Sequence, residues 1–126
     1  MKTTLTIEQS AELIKRGVTK DKASEKERIY KPIVAQNGVA HNIYVSDAPI
    51  FTLADLLSLL PKEIDGCNLT IGASKEEWHV AYELNEMDDD DNFVITRIIM
   101  VQFAKELVDA LFLALCNCLN NHVKLD

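Results

Sequence analysis

Two short stretches of this sequence alternate apolar and polar residues with the period of a β-strand, and they sit close enough to pair. From Cys67 to Ala73, the residues Cys67, Leu69, Ile71 and Ala73 alternate with Asn68, Thr70 and Gly72. From Trp78 to Leu84, the residues Trp78, Val80, Tyr82 and Leu84 alternate with His79, Ala81 and Glu83. A period of two sends each apolar set to one face of its strand. The polar turn Ser74 to Glu76 between them predicts an antiparallel pair with one buried and one solvated face. A face of that kind needs a second layer, and the helical segments must supply it.

Three segments read as helices. Thr6 with Gln9 forms a capping-box pattern, Ile7, Ala11, Ile14 and Val18 follow at helical spacing, and Gly17 is a left-handed stop. Thr52 with Asp55 repeats the box before Leu53, Leu56, Leu57 and Leu60, and Pro61 ends that helix. The third helix is expected from about Ile98 to Asn121. Its apolar arc holds Val101, Ala104, Leu107, Val108, Leu111, Leu115, Cys118 and Leu119, opposite Gln102, Lys105, Glu106, Asp109, Asn117 and Asn120.

Asn37-Gly38 marks a hairpin with a type I′ turn, flanked by Ile33 to Ala35 and by Val39, Ile43 and Val45, with Pro32 at the start or edge of the first strand. Thr19 to Glu27 reads equally as a turn or a short helix. Asp88 to Asp91 is an acidic loop, and Phe93 to Ile95 a short strand. The expected fold is a single α+β domain over residues 1–126: a small antiparallel sheet made from the two hairpins, packed on a long C-terminal helix, with two shorter helices closing the ends. Its core should be Ile71, Trp78, Val80, Tyr82, Leu56, Leu57, Leu60, Leu107, Leu111 and Leu115.

Charge and cysteine usage narrow the function classes. A net charge of −7 argues against direct nucleic-acid binding, which needs clustered cations. The basic density from Lys15 to Lys31 is interrupted by Asp21, Glu25 and Glu27 and reads as a mixed-charge solvated face. Cys67, Cys116 and Cys118 are an odd count without a disulfide pattern, so reduced thiols are expected. The N-terminus lacks a secretory pattern. The longest apolar run, Ala110 to Cys116, is far shorter than the ~20 residues of a membrane span. The expected location is the cytoplasm.

Motifs that would carry chemistry fail in turn. Asp88, Asp90 and Asn92 have calcium-loop spacing, but Phe93 and Ile99 stand where glycine and a bidentate glutamate are required. Cys118 and His122 would share a helix face, yet two ligands are half of a structural zinc site. His79 lies on the parity opposite Trp78 and reads as an exposed strand histidine, with nothing bringing a thiol to it. The four glycines, Gly17, Gly38, Gly66 and Gly72, form no phosphate loop, and neither HExxH nor GxSxG occurs. No catalytic residue, metal or cofactor follows from these patterns.

One feature stands above background. Leu113 interrupts the polar stripe of Asp109, Asn117 and Asn120, Phe103 sits at its margin, and Cys116 closes the apolar run. Either the last helix is covered on more than one side, or Phe103, Leu113 and Cys116 belong to an interface with another chain. The segments Phe51-Thr-Leu-Ala-Asp-Leu-Leu-Ser-Leu-Leu-Pro61, Trp78-His-Val-Ala-Tyr82 and Glu106-Leu-Val-Asp-Ala-Leu111 resemble small uncharacterised proteins of phages and integrated elements of gut anaerobes. That resemblance spans about Thr3 to Leu119 and implies an accessory role, with no activity to transfer. The leading expectation is a non-enzymatic, self-associating interaction protein. The alternatives are a small enzyme with His79 and Cys67 in one pocket, and an acidic nucleic-acid mimic that occupies a nucleic-acid-binding protein.

Overall fold

Both capping boxes form in the structure, a computed structural model that describes residues 1–126. Helix α1 spans Ile7–Lys15; Thr6 Oγ1 accepts from the Gln9 N–H, and the Gln9 carboxamide oxygen accepts from the Thr6 N–H. Gly17, at φ +113, ends it: its N–H and that of Val18 donate to the Ile14 and Leu13 carbonyls, the paired bonds of a Schellman stop. Helix α2 spans Leu53–Leu59, with Thr52 Oγ1 and the Asp55 carboxylate bonded reciprocally to each other's N–H groups. The buried stripes are rotated from those expected. Helix α1 buries Ser10 and Leu13 and exposes Ala11, because the Ser10 hydroxyl accepts the Phe51 N–H at 3.2 Å and so satisfies a buried strand-end donor. Helix α2 buries Leu56 and Leu59 and leaves Leu57 exposed.

The strands form two sheets, where a single one was expected. Strands β1 (Glu25–Val34) and β2 (Ala40–Ile50) make a separate two-stranded ribbon. Strands β3 (Glu63–Ile64), β4 (Cys67–Ala73), β5 (Trp78–Met87) and β6 (Phe93–Ala104) lie in that order in an antiparallel sheet. Between Thr19 and Glu27 the chain makes one 3₁₀ turn, Lys20–Lys22, before β1 begins at Glu25.

The largest correction concerns the C-terminal helix. Helix α3 spans Leu107–Asn120, and the residues from Ile98 to Ala104 are the second half of β6. Val101 and Ala104 fall at helical spacing before Leu107 and Val108, which extends the apolar arc backwards by coincidence. The segment from Phe93 to Phe103 is rich in β-branched and aromatic residues, the composition of a strand. Its apolar residues occupy both faces, so the alternation that would have revealed it is hidden. Pairing with β5, from Trp78↔Ala104 to Tyr82↔Met100 and beyond, decides the matter.

Three tight turns organise the strands. At Asn37-Gly38 only Gly38 has positive φ, at +82, and its N–H donates to the Ala35 carbonyl. This is a type I-like turn closed by a left-handed residue, in place of the expected type I′. The loop from Asp88 to Asn92 repeats the pattern with Asp91, at φ +61, in the glycine's role. The Asp88 carboxylate accepts from the Asp90 and Asn92 N–H groups, both at 2.9 Å, so its first task is to fold its own loop. The two-residue turn with both φ positive is Asp65-Gly66, which joins β3 to β4.

The inner face of the four-stranded sheet carries Cys67, Val80, Tyr82 and Met100 against α3, whose Val108, Ala110, Leu111, Ala114, Leu115 and Cys118 are all buried. Within the expected core, Val80, Tyr82, Leu56, Leu60, Leu107, Leu111 and Leu115 are buried and Trp78 is half-buried. Ile71 is 39% and Leu57 37% exposed, so neither belongs to it. Helix α3 ends on a second Schellman stop at His122, φ +55, whose N–H and that of Val123 donate to the Leu119 and Cys118 carbonyls.

Two predictions follow from this packing. Tyr82 is fully buried and its hydroxyl donates to the Pro61 carbonyl at 2.6 Å. Tyr82→Phe should therefore cost about 1–3 kcal/mol, read as a lowered denaturant midpoint at constant slope, because the carbonyl of buried Pro61 loses its partner. Asp55 is the second case. Partial burial pushes its carboxyl up, but hydrogen bonds from the Thr52 and Ser24 N–H groups and hydroxyls outweigh this and hold it below the usual value. A carboxyl whose folded value is depressed contributes stability above its unfolded value of about 4, and that contribution is lost as pH falls through the folded value. Urea midpoints measured from neutral pH to about pH 3 should accordingly fall less steeply for Asp55→Asn than for the wild type.

Candidate interaction surface

The β1–β2 ribbon is fastened only at its root. Asp55 Oδ2, already the cap of α2, also accepts from the Ser24 N–H at 2.8 Å and the Ser24 hydroxyl at 2.9 Å, immediately before β1. At the other strand Ile50 is buried. Beyond the root the ribbon has no covering layer, and its two faces follow from the register. One carries Tyr30, Pro32 and Val34 with Tyr44, the two tyrosine rings meeting edge to face at 6.3 Å. The other carries Ile29, Ile33 and Ile43 beside Lys31 and His41. Val45 is left unopposed at a bulge, where Ile29 pairs with Ser46 and Tyr30 with Tyr44. Pro32 is tolerated in mid-strand because each strand of a two-stranded ribbon is an edge.

A second ribbon extends from the four-stranded sheet. Strand β4 first pairs with β5 at Asn68↔Glu83, so past Glu83 and Ile98 only β5 and β6 continue. Met87, Phe93, Val94, Ile95 and Ile98 are exposed there, Phe93 by 75%. The tip is the Asp88 to Asp91 loop, and Arg97 Nη1 donates to the Asp65 carbonyl at 3.1 Å, tying this ribbon to the β3–β4 turn. Strand β6 is the last in the sheet, so its outer edge is unpaired. Isolated exposed apolar residues are ordinary on a protein surface; a contiguous apolar set beside a free strand edge marks a place where another strand can add. Two-stranded ribbons also have no core of their own to hold them flat in water.

The residues singled out from the sequence are dispersed. Phe103 lies on β6, on the sheet face away from α3, with its ring 6.1 Å from that of His79. Leu113 stands 40% exposed on α3, and Cys116 is half-buried on the same helix. Leu113 and Cys116, three apart, are neighbours on α3, and Phe103 lies apart from them on the far face of the sheet. Cys67 and His79 do not share a pocket: Cys67 is buried on the inner sheet face, and His79 sits on the outer one, over Gly72. A Cβ on Gly72 would lie 2.3 Å from the imidazole, so a side chain there would displace the His79 ring. Cys118 is buried, with its thiol pushed up to about 11 by burial, and His122 serves as the left-handed stop of α3. No group of three His, Cys, Asp or Glu side chains has metal-binding geometry.

The surface clefts are shallow. One of about 330 Å³ lies at the root of the β1–β2 ribbon between Lys20, Ser24, Lys26 and Asp47, where Lys26 Nζ and Asp47 Oδ2 pair at 3.2 Å. Another of about 290 Å³ lies between Ile64, Met100, Asn117 and Val123. Sequence reasoning missed both ribbons as surfaces. The signal was available in the strand composition from Phe93 to Phe103 and in the apolar residues on both parities of β1.

No helix is long and apolar enough to cross a membrane. No protein-family model matches the chain, and neither a curated protein nor a solved structure is found to resemble it.

Proposed function

We propose that this chain is a non-enzymatic protein-interaction subunit, self-associating, whose working surface is formed by the two β-ribbons and the free edge of β6. The observation that carries the reading is the unpaired, apolar β6: Phe93, Val94, Ile95, Ile98, Val101 and Phe103 are all exposed along one edge strand. Soluble proteins usually blunt such an edge with charge, proline or a covering helix. Here the only charged residue between Phe93 and Ala104 is Arg97. An accessory role in a phage or mobile element is part of the proposal and rests on the sequence resemblance alone. The enzyme alternative is less well supported, since no cleft is lined by His79 or Cys67. The acidic-mimic alternative has its carboxylates concentrated at one loop tip, where Asp88 is engaged with its own backbone.

The reading separates binding from folding. Val94→Lys/Ile98→Lys places charge on the free edge and on no buried contact, so stability should stay within about 0.5 kcal/mol of the wild type. Association, followed by sedimentation and by retention of native partners, should be lost. A variant that unfolds would show that these side chains belong to the core; one that assembles and binds like the wild type would refute the role of the edge.

A further inference from the structure

We infer that the β1–β2 ribbon is a hinged arm, and that the contact of Ser24 with Asp55 is the latch fixing its orientation on the body. From Glu25 to Pro49 no hydrogen bond and no ion pair runs to the rest of the chain; Lys26 and Asp47 pair with each other inside the ribbon. Attachment is therefore confined to the two strand roots, which lie side by side where Glu25 pairs with Ile50. The β2 root is held by burial: Ile50 and Phe51 are both buried, and the Phe51 N–H donates to the Ser10 hydroxyl. The β1 root is held by half-buried Ala23 and by two hydrogen bonds to one carboxylate oxygen of Asp55. The Ser24 N–H donates one at 2.8 Å and the Ser24 hydroxyl the other at 2.9 Å.

The surroundings of the β1 root leave it room to move. Two clefts, of about 330 and 400 Å³, share Ser24 and Glu25 in their walls; one extends to Asp47 and Pro49, the other to Thr4 and Leu53. The turn that leads into the root, Lys20–Lys22, buries no residue and has no side-chain cap. A hinge needs only a few element-terminal residues that absorb the change in backbone angles, and the two roots supply them. Asp55 Oδ2 also accepts from the Thr52 N–H at 2.9 Å, a bond that does not involve Ser24. Release of Ser24 therefore frees the arm and leaves α2 capped. A partner that grips the latched arm meets a preformed surface, whereas one that needs another orientation must first break the two Ser24 bonds.

Residual dipolar couplings of the full chain, measured by NMR on the amides of the arm and of the body, test this. One alignment should fit both sets in the wild type. Ser24 is exposed, so substitutions there act on the latch and not on the core. Ser24→Ala removes the hydroxyl bond, and Ser24→Asp sets a second carboxylate against Asp55. In Ser24→Asp the couplings of the arm should shrink about twofold relative to those of the body, because a hinge moving in microseconds to milliseconds averages them. Ser24→Ala should show the same change in smaller degree. Thr52→Ala weakens the cap of α2 but leaves both Ser24 bonds in place, and should keep the wild-type alignment. Four results would each overturn the latch: a wild-type arm averaged as far as that of Ser24→Asp, Ser24 variants that match the wild type, a body that unfolds in Ser24→Ala, or an arm loosened as much by Thr52→Ala as by Ser24→Ala.

Discussion

Burial of α3 on two sides is the constraint on which the rest of the fold depends. One side of the helix meets Val80, Tyr82 and Met100 of the sheet, and another meets α2. Its polar stripe is also in use. Asp109 Oδ1 accepts from Lys2 Nζ at 2.9 Å and from Gln9 Nε2 at 3.0 Å, and Arg16 donates to Asn120. Two of the polar residues that suggested a solvated face, Asp109 and Asn120, therefore bond to the N-terminal segment and α1. Contact with the sheet and α2 accounts for the buried Ala110, Leu111, Ala114 and Leu115 of the apolar run, while Leu113 stays 40% exposed.

A core built around one 14-residue helix reaches only so far. It covers the inner face of the four-stranded sheet where β4 backs it, and it pins the root of the β1–β2 ribbon through Ser10, Ile50 and Asp55. Past those points the strands continue without a layer over them. The fold thus divides into a packed body, where apolar residues are spent on stability, and two projecting ribbons, where they are not. Substitutions in the body act on folding through cavities and lost hydrogen bonds, whereas substitutions on the ribbons act on whatever the ribbons meet. The double use of Asp55 links the two regions: one carboxylate caps α2 and anchors the strand that leads outward.

Several elements were legible because their causes are local. The boxes at Thr6 and Thr52 and the stop at Gly17 each involve a few consecutive residues and backbone bonds of fixed geometry. The β4–β5 pair showed its period because only one of its faces is buried, and the parity that sends Trp78 inward and His79 outward held. The candidate interface was barely legible. Phe103 was placed on a helix, and the β6 edge that contains it could not be seen as an edge until the strand order was known.

By itself the sequence determined an α+β chain with two capped short helices, a tight turn near Asn37-Gly38, an antiparallel pair around Ser74 to Glu76 and an apolar C-terminal helix. Tertiary structure alone decided that Ile98 to Ala104 is strand, that the hairpins form two sheets, and that Asp109 and Asn120 of α3 bond to the N-terminal segment and α1. The physical reason is one of range. Caps and turns are settled by hydrogen bonds among neighbours, while a segment apolar on both faces has no preferred period, and the register offered by Trp78 to Met87 chooses for it. Which apolar faces are buried and which project was likewise settled by how far α3 reaches, a length that no local pattern records.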